Sequence, residues 1–197
     1  MNSRKIPAFA AVLAAISIAP AAFAQATPAT PPAAQPALPP PAEIETGRIA
    51  PDFTIQVADS AGVRATPVTL SGLRGKVVVL AFYPADRSSG CTFQLTKFRD
   101  EYDKLFGGET VVLPISVDSL ATHASWAAEM KFPFALGTDT DLSLAKQYGS
   151  WAPGRTTSTR TVFVIGRDGT ILWRNLRFPA LNENAYVELA AEVARAR

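Results

Sequence analysis

Short apolar runs alternate with helical patterns along most of this chain. Residues 76–83 (KVVVLAFY) form a continuous run of β-branched and aromatic side chains. Such a run predicts a central strand buried on both faces, and Pro84 ends it. From Cys91 onward, Phe93, Leu95, Phe98, Tyr102, Leu105 and Phe106 recur at near-helical spacing until Gly107-Gly108. Residues 111–117 (VVLPISV) predict a second buried strand. Residues 119–130 carry another helical pattern, with Ser119 as the N-cap and Leu120, His123, Trp126, Ala127 and Met130 on one side.

The flanking segments are shorter. Residues 50–57 and 68–70 predict two brief strands, with a turn over 71–75. Residues 132–136 (FPFAL) predict a third core strand, and residues 142–148 a short helix closed by Gly149. Residues 161–165 and 170–173 flank Gly166-Arg167-Asp168-Gly169, which reads as a hairpin with a DG turn. Residues 185–196 predict a closing amphipathic helix. The order implies an α/β domain with a central mixed β-sheet flanked by helices, the order of a thioredoxin-like fold with extra elements.

The N-terminus reads differently. Within residues 1–24, Arg4 and Lys5 precede an apolar stretch, and Ala22-Phe23-Ala24 offers a small-residue cleavage site. That is the pattern of a secretory signal peptide, with a retained membrane anchor as the alternative. Residues 25–46 are rich in Ala, Pro and Thr and read as a linker without a core of its own. Residues 47–197 then form one domain of about 150 residues. The implied location lies across the inner membrane, in the periplasm. Removal of residues 1–24 takes away two basic residues and no acidic one, which leaves 17 of each sign.

Composition narrows the chemistry. The chain has one Cys and one His. One cysteine excludes an internal disulfide, a CxxC pair and any multi-cysteine metal site within one chain. One histidine excludes three-His zinc and HExxH sites, and any Ser-His-Asp arrangement would need His123. A net charge of +2 provides no basic field, so nucleic acid is not an implied partner. No metal or cofactor is implied either.

Attention therefore falls on Cys91. It follows a buried strand across the loop 84–90 and opens a helix. The free N–H groups and dipole of a helix N-terminus favour an anion, and the thiolate is the nucleophilic form of cysteine. A lone Cys is otherwise a small buried hydrophobe. The polar context SSGCT predicts a thiol that is not deeply buried.

Pro84-Ala85-Asp86-Arg87-Ser88-Ser89-Gly90-Cys91 fits P-x-x-x-[TS]-x-x-C and resembles the active-site motif of the peroxiredoxins. FYPADRSSGCTFQLTKFRD is similar to the bacterioferritin-comigratory type within the alkyl hydroperoxide reductase/thiol-specific antioxidant superfamily. Further matches follow in order: Ala50-Pro51-Asp52-Phe53, residues 73–80, Ile115 to Ser119 with His123 and Trp126, Phe132-Pro133-Phe134, Tyr148-Gly149, residues 160–165 and Asp168-Gly169. The resemblance implies a thiol-dependent peroxidase. Cys91 would attack the O–O bond of a hydroperoxide and become a sulfenic acid. Arg160 would stabilise the thiolate and bind the peroxide oxygens. Ser88 would hydrogen-bond thiolate and peroxide, and Pro84 would shield the thiolate from water. Backbone N–H groups of Gly90 and Cys91 would polarise the substrate, with Gln94 and Tyr83 lining its site. His123 reads as structural.

Many relatives carry a second, resolving cysteine five residues after the first, where this chain has Thr96. The implied mechanism is therefore one-cysteine, with an external thiol reductant, either a small thiol or a thioredoxin-like protein. A monomer or weak homodimer is expected. Two rival readings remain: a thioredoxin-like thiol-disulfide oxidoreductase, and a non-catalytic redox-sensing module that retains the fold.

Overall fold

The structure, a computed structural model, describes residues 44–197. The expected signal peptide and most of the expected linker lie outside the described residues. Nine strands occur among them: β1 (Thr54–Ile55), β2 (Val57–Asp59), β3 (Gly62–Val63), β4 (Val68–Thr69), β5 (Val78–Phe82), β6 (Val111–Ser116), β7 (Leu136–Thr138), β8 (Thr161–Ile165) and β9 (Ile171–Asn175). Five α-helices accompany them: α1 (Ser89–Asp100), α2 (Tyr102–Phe106), α3 (Leu120–Met130), α4 (Ser143–Gln147) and α5 (Glu183–Ala196).

Seven strands form one mixed sheet in the order β3-β2-β7-β6-β5-β8-β9. Strand β5 lies parallel to β6 and antiparallel to β8. All five of its residues are buried, as its unbroken apolar composition requires. Val79 and Ala81 point into one core with Leu95, Phe98, Trp126 and Leu189 from α1, α3 and α5. Val78, Leu80 and Phe82 point into a second core with Phe53, Leu144 and Tyr148. Two cores on opposite faces of one sheet make the α/β layering expected from sequence. Pro114 is tolerated within β6 because β7 joins it only from Ile115, beyond the missing N–H.

Several expected elements are corrected by packing. The strand over 50–57 is two strands: β1 pairs with β4 in a separate two-stranded sheet, and β2 turns through Gly62 to pair with β3. Gly62 adopts a φ of 123°, open to glycine alone, which is what lets that hairpin close. Residues 132–135 are not strand; Phe132 and Phe134 stack on each other at 5.1 Å, and β7 begins only at Leu136. The helix expected from Cys91 begins two residues earlier, at Ser89, and ends at Asp100, with Glu101 separating it from α2. Ser119 caps α3 as expected, its side chain accepting from Thr122 N at 3.2 Å. Ile44, placed in the linker by composition, is fully buried, and its carbonyl accepts from Arg174 Nη1 at 3.0 Å. The packed domain therefore includes residues the compositional boundary left out.

Candidate active site

Strand β5 delivers the chain to Pro84, and residues 84–88 lead into the first turn of α1. The first bond of that helix runs from Thr92 N to Ser88 O at 2.8 Å. The N–H groups of Ser89, Gly90 and Cys91 thus precede the helical ladder, where a helix leaves its first donors without intrahelical partners. Gly90 and Cys91 were expected to offer such donors.

Cys91 is fully buried, against the expectation from its polar loop. The helix starts early enough to place it inside the first turn, on the face that packs against the sheet with Leu95 and Phe98. Burial does not isolate it. Arg160 Nη2 donates to Cys91 Sγ at 3.2 Å, and Arg160 Nη1 donates to Gln94 Oε1. One guanidinium fork therefore spans the thiol and an amide one turn further along α1. Arg160 is itself anchored, since its carbonyl accepts from Phe178 N at 3.0 Å. Gly90 leaves the room for this approach: a Cβ there would lie 3.3 Å from Arg160 Nη2.

Gln94 is fully buried, and its Nε2 has no hydrogen-bond partner among the described residues. A guanidinium only donates, so the Arg160 contact settles which end of the amide is oxygen. The free amide donor lies one turn beyond the thiol on α1.

The other expected residues are placed differently. The Ser88 hydroxyl donates to the Ala85 carbonyl at 3.0 Å, closing the loop on itself; no bond to Cys91 occurs among the described residues. Pro84 is half-buried at the loop entrance. Tyr83 is fully buried and gives its hydroxyl to Asp86 Oδ1 at 2.6 Å. Burial, reinforced by the Asp86 charge, pushes the Tyr83 phenol well above its ordinary value, so it remains a donor. Phe93 is exposed. The segment 151–159, which leads into Arg160, is pinned at its end. Ser158 Oγ donates to the Tyr83 carbonyl at 2.7 Å, and Thr159 N to the Ser150 carbonyl at 2.7 Å.

Sequence reasoning underrated Asp86 and His123. Asp86 Oδ2 lies 2.9 Å from His123 Nδ1, and Asp86 N donates to Asp118 Oδ2 at 2.8 Å. Arg87, at a left-handed φ of 57°, reaches Glu129 of α3 at 2.9 Å. The polar residues of the loop thus grip α3 and the end of β6. The sole available signal was the polarity of His123 on an otherwise apolar helix face.

The sequence and the fold resemble those of known proteins. The AhpC/TSA family profile matches residues 46–174. Chloroplastic peroxiredoxin Q of Sedum lineare is 36% identical over 136 residues, covering 66% of this chain and 68% of that protein. Putative peroxiredoxin bcp of Coxiella burnetii is 35% identical over 134 residues, covering 65% of this chain and 85% of that protein. The chain spans 58% of the length of other chloroplastic peroxiredoxins Q, such as that of Triticum aestivum. Among solved structures, peroxidoxin BcpB from Mycobacterium tuberculosis superposes with a TM-score of 0.65 at 28% identity, over 78% of this chain and 99% of that one. The chain belongs to the AhpC/TSA family, as a thiol-dependent peroxidase of the bacterioferritin-comigratory type of peroxiredoxin.

Proposed function

We propose that Cys91 is the peroxidatic residue of a one-cysteine cycle. The observation that carries this reading is the donation from Arg160 Nη2 to Cys91 Sγ at 3.2 Å. The Cys91 thiolate attacks one oxygen of a hydroperoxide. An S–O bond forms, the O–O bond breaks, and the departing oxygen takes a proton to leave as water or an alcohol. The guanidinium is a fixed cation placed to stabilise thiolate and developing oxyanion alike. The free N–H groups of the first turn of α1 add donors on the same side.

Cys91 is the one cysteine of the chain, so the sulfenic acid must be reduced from outside. A first external thiol condenses with it, releasing water and forming a mixed disulfide. A second thiolate attacks that disulfide and restores Cys91. The external donor is a small thiol or a thioredoxin-like protein. The chain acts as a monomer or weak homodimer, and residues 1–24 direct it across the inner membrane to the periplasm. The three-part charge and apolar pattern of that segment supports export.

Peroxide consumption with dithiothreitol tests the chemistry. The wild-type chain consumes hydrogen peroxide and forms a dimedone adduct on Cys91, and Cys91→Ser does neither. Undiminished consumption by Cys91→Ser would sink the assignment.

A further inference from the structure

A buried chain of polar groups beside the thiol loop takes no part in the peroxide steps described above. His123 of α3 is fully buried, with Nε2 3.1 Å from the Gly137 carbonyl of β7 and Nδ1 2.9 Å from Asp86 Oδ2. A carbonyl only accepts, so the first contact requires a proton on Nε2. Asp86 Oδ1 already accepts from the Tyr83 hydroxyl at 2.6 Å. The second contact is too close for two facing lone pairs, so it also contains a proton. The imidazole and carboxylate therefore share two protons.

The hydrogen bonds that Asp86 receives favour both protons on the ring. Asp86 receives the Tyr83 hydroxyl on Oδ1 and faces the ring nitrogen with Oδ2, the pattern of an acceptor-only carboxylate with a donor on each oxygen. Asp118 adds a second carboxylate; it accepts from Asp86 N at 2.8 Å and from the Ser116 hydroxyl at 2.7 Å. Other charges near α3 are engaged elsewhere. Asp59 of β2 pairs with Arg64 at 2.7 Å, and Glu129 of α3 pairs with Arg87 at 2.9 Å. Among the described residues, His123 is the sole cationic partner of Asp86.

This chain of contacts joins four elements: Tyr83 after β5, Asp86 in the loop, His123 on α3 and Gly137 in β7. The loop it grips contains Arg87 in a left-handed conformation, which a non-glycine residue keeps only when its surroundings hold it. That loop ends at Ser88, three residues before the thiol.

We propose that His123 is a positioning residue: as a buried imidazolium it clamps Asp86, and through Asp86 the 84–88 loop, in the shape that presents Cys91 to Arg160. The kinetic consequence rests on the peroxidase reading above, whereas the protonation state does not.

The chain contains one histidine, so long-range 1H–15N spectra of the 15N-labelled full chain, made without a histidine tag, report His123 alone. At pH 7 both ring nitrogens should be protonated; a bare nitrogen overturns the proposal. In Asp86→Asn the carboxamide donates to Nδ1, which should lose its proton while Nε2 keeps one. The rate of Cys91 oxidation by hydrogen peroxide, followed by intact mass, should fall about tenfold in that variant. Tyr83→Phe, which deletes one bond of the chain, gives a second reading of the rate and should lower it several-fold. Unchanged rates in both variants overturn the positioning role. Persistent peroxide consumption by Cys91→Ser would instead remove the peroxidase reading and leave the spectroscopic result standing.

Discussion

Arg160 Nη2 meets Cys91 Sγ at 3.2 Å, although the two residues lie 69 positions apart in the chain. The contact exists because β5 and β8 are neighbours in the sheet, paired from Phe82–Thr161 to Val78–Ile165. One residue leads into β8, and the other lies in the first turn of the helix that follows β5. Both fall at the same end of the sheet.

This geometry makes Arg160 the most consequential side chain after the thiol. Arg160→Ala should lower the second-order rate of Cys91 oxidation about 100-fold, the scale seen when one oxyanion donor is removed from an active site. Arg160→Lys should lie between, because an ammonium keeps the charge but lacks the planar fork that spans Cys91 and Gln94. Stopped-flow measurement of peroxide reduction separates the three proteins. Equal rates would show that the guanidinium is structural.

Gly90 gives a more selective probe. Its φ is not in the left-handed region, and alanine is the better helix former by about 0.5–1 kcal/mol. The new Cβ would stand 3.3 Å from Arg160 Nη2 and displace the guanidinium by a few tenths of an ångström. Gly90→Ala should therefore melt no lower than wild type while reacting with peroxide about tenfold more slowly. Loss of both stability and rate would point to a general disruption of α1.

Thr96 stands where many relatives carry a second cysteine. Its Oγ1 is buried and has no partner among the described residues. Thr96→Val keeps the shape and removes the unpaired hydroxyl, so it should stabilise the chain by about 1 kcal/mol in urea unfolding. Peroxide reduction should be unaffected. A destabilised variant would show that the hydroxyl is hydrogen-bonded in solution.

Asp52 supplies a pH signature. Hydrogen bonds from Ser71 hold its carboxyl below the usual value, aided by the Phe53 N–H. An acid whose folded value is depressed stabilises the fold above its unfolded value of about 3.9 and loses that contribution as pH falls through the folded value. Melting temperature should therefore drop as pH falls below about 4, and Asp52→Asn should flatten the fall. Asp139 works in the opposite direction, because burial raises its carboxyl. A pH profile unchanged by Asp52→Asn would mean that the Ser71 bonds are not kept in solution.

The central strands, α3 with its Ser119 cap and the closing hairpin were legible in the sequence because their signals are local. An unbroken apolar run is incompatible with an exposed strand, and a serine before a helical pattern satisfies its own end. The β2–β3 hairpin was not legible. Its strands have three and two residues, too few for a periodic pattern, and β2 is held by pairing with β7 some eighty residues away.

The same division applies to the site. The single cysteine, its place after a buried strand and the Pro84–Ser88–Cys91 spacing were settled by sequence alone, because covalent order determines which groups the loop and first turn contain. Only tertiary structure decided what those groups touch. Cys91 is buried because α1 starts at Ser89 and turns it toward the sheet. Ser88 bonds Ala85, while Arg160 reaches the thiol because Gly90 leaves space. His123 looked structural as one polar residue on an apolar face. Its role emerged only where three other elements bring an aspartate, a tyrosine and a carbonyl into one buried chain. Desolvation makes every proton in such a place count, and no one-dimensional pattern records which groups will be desolvated together.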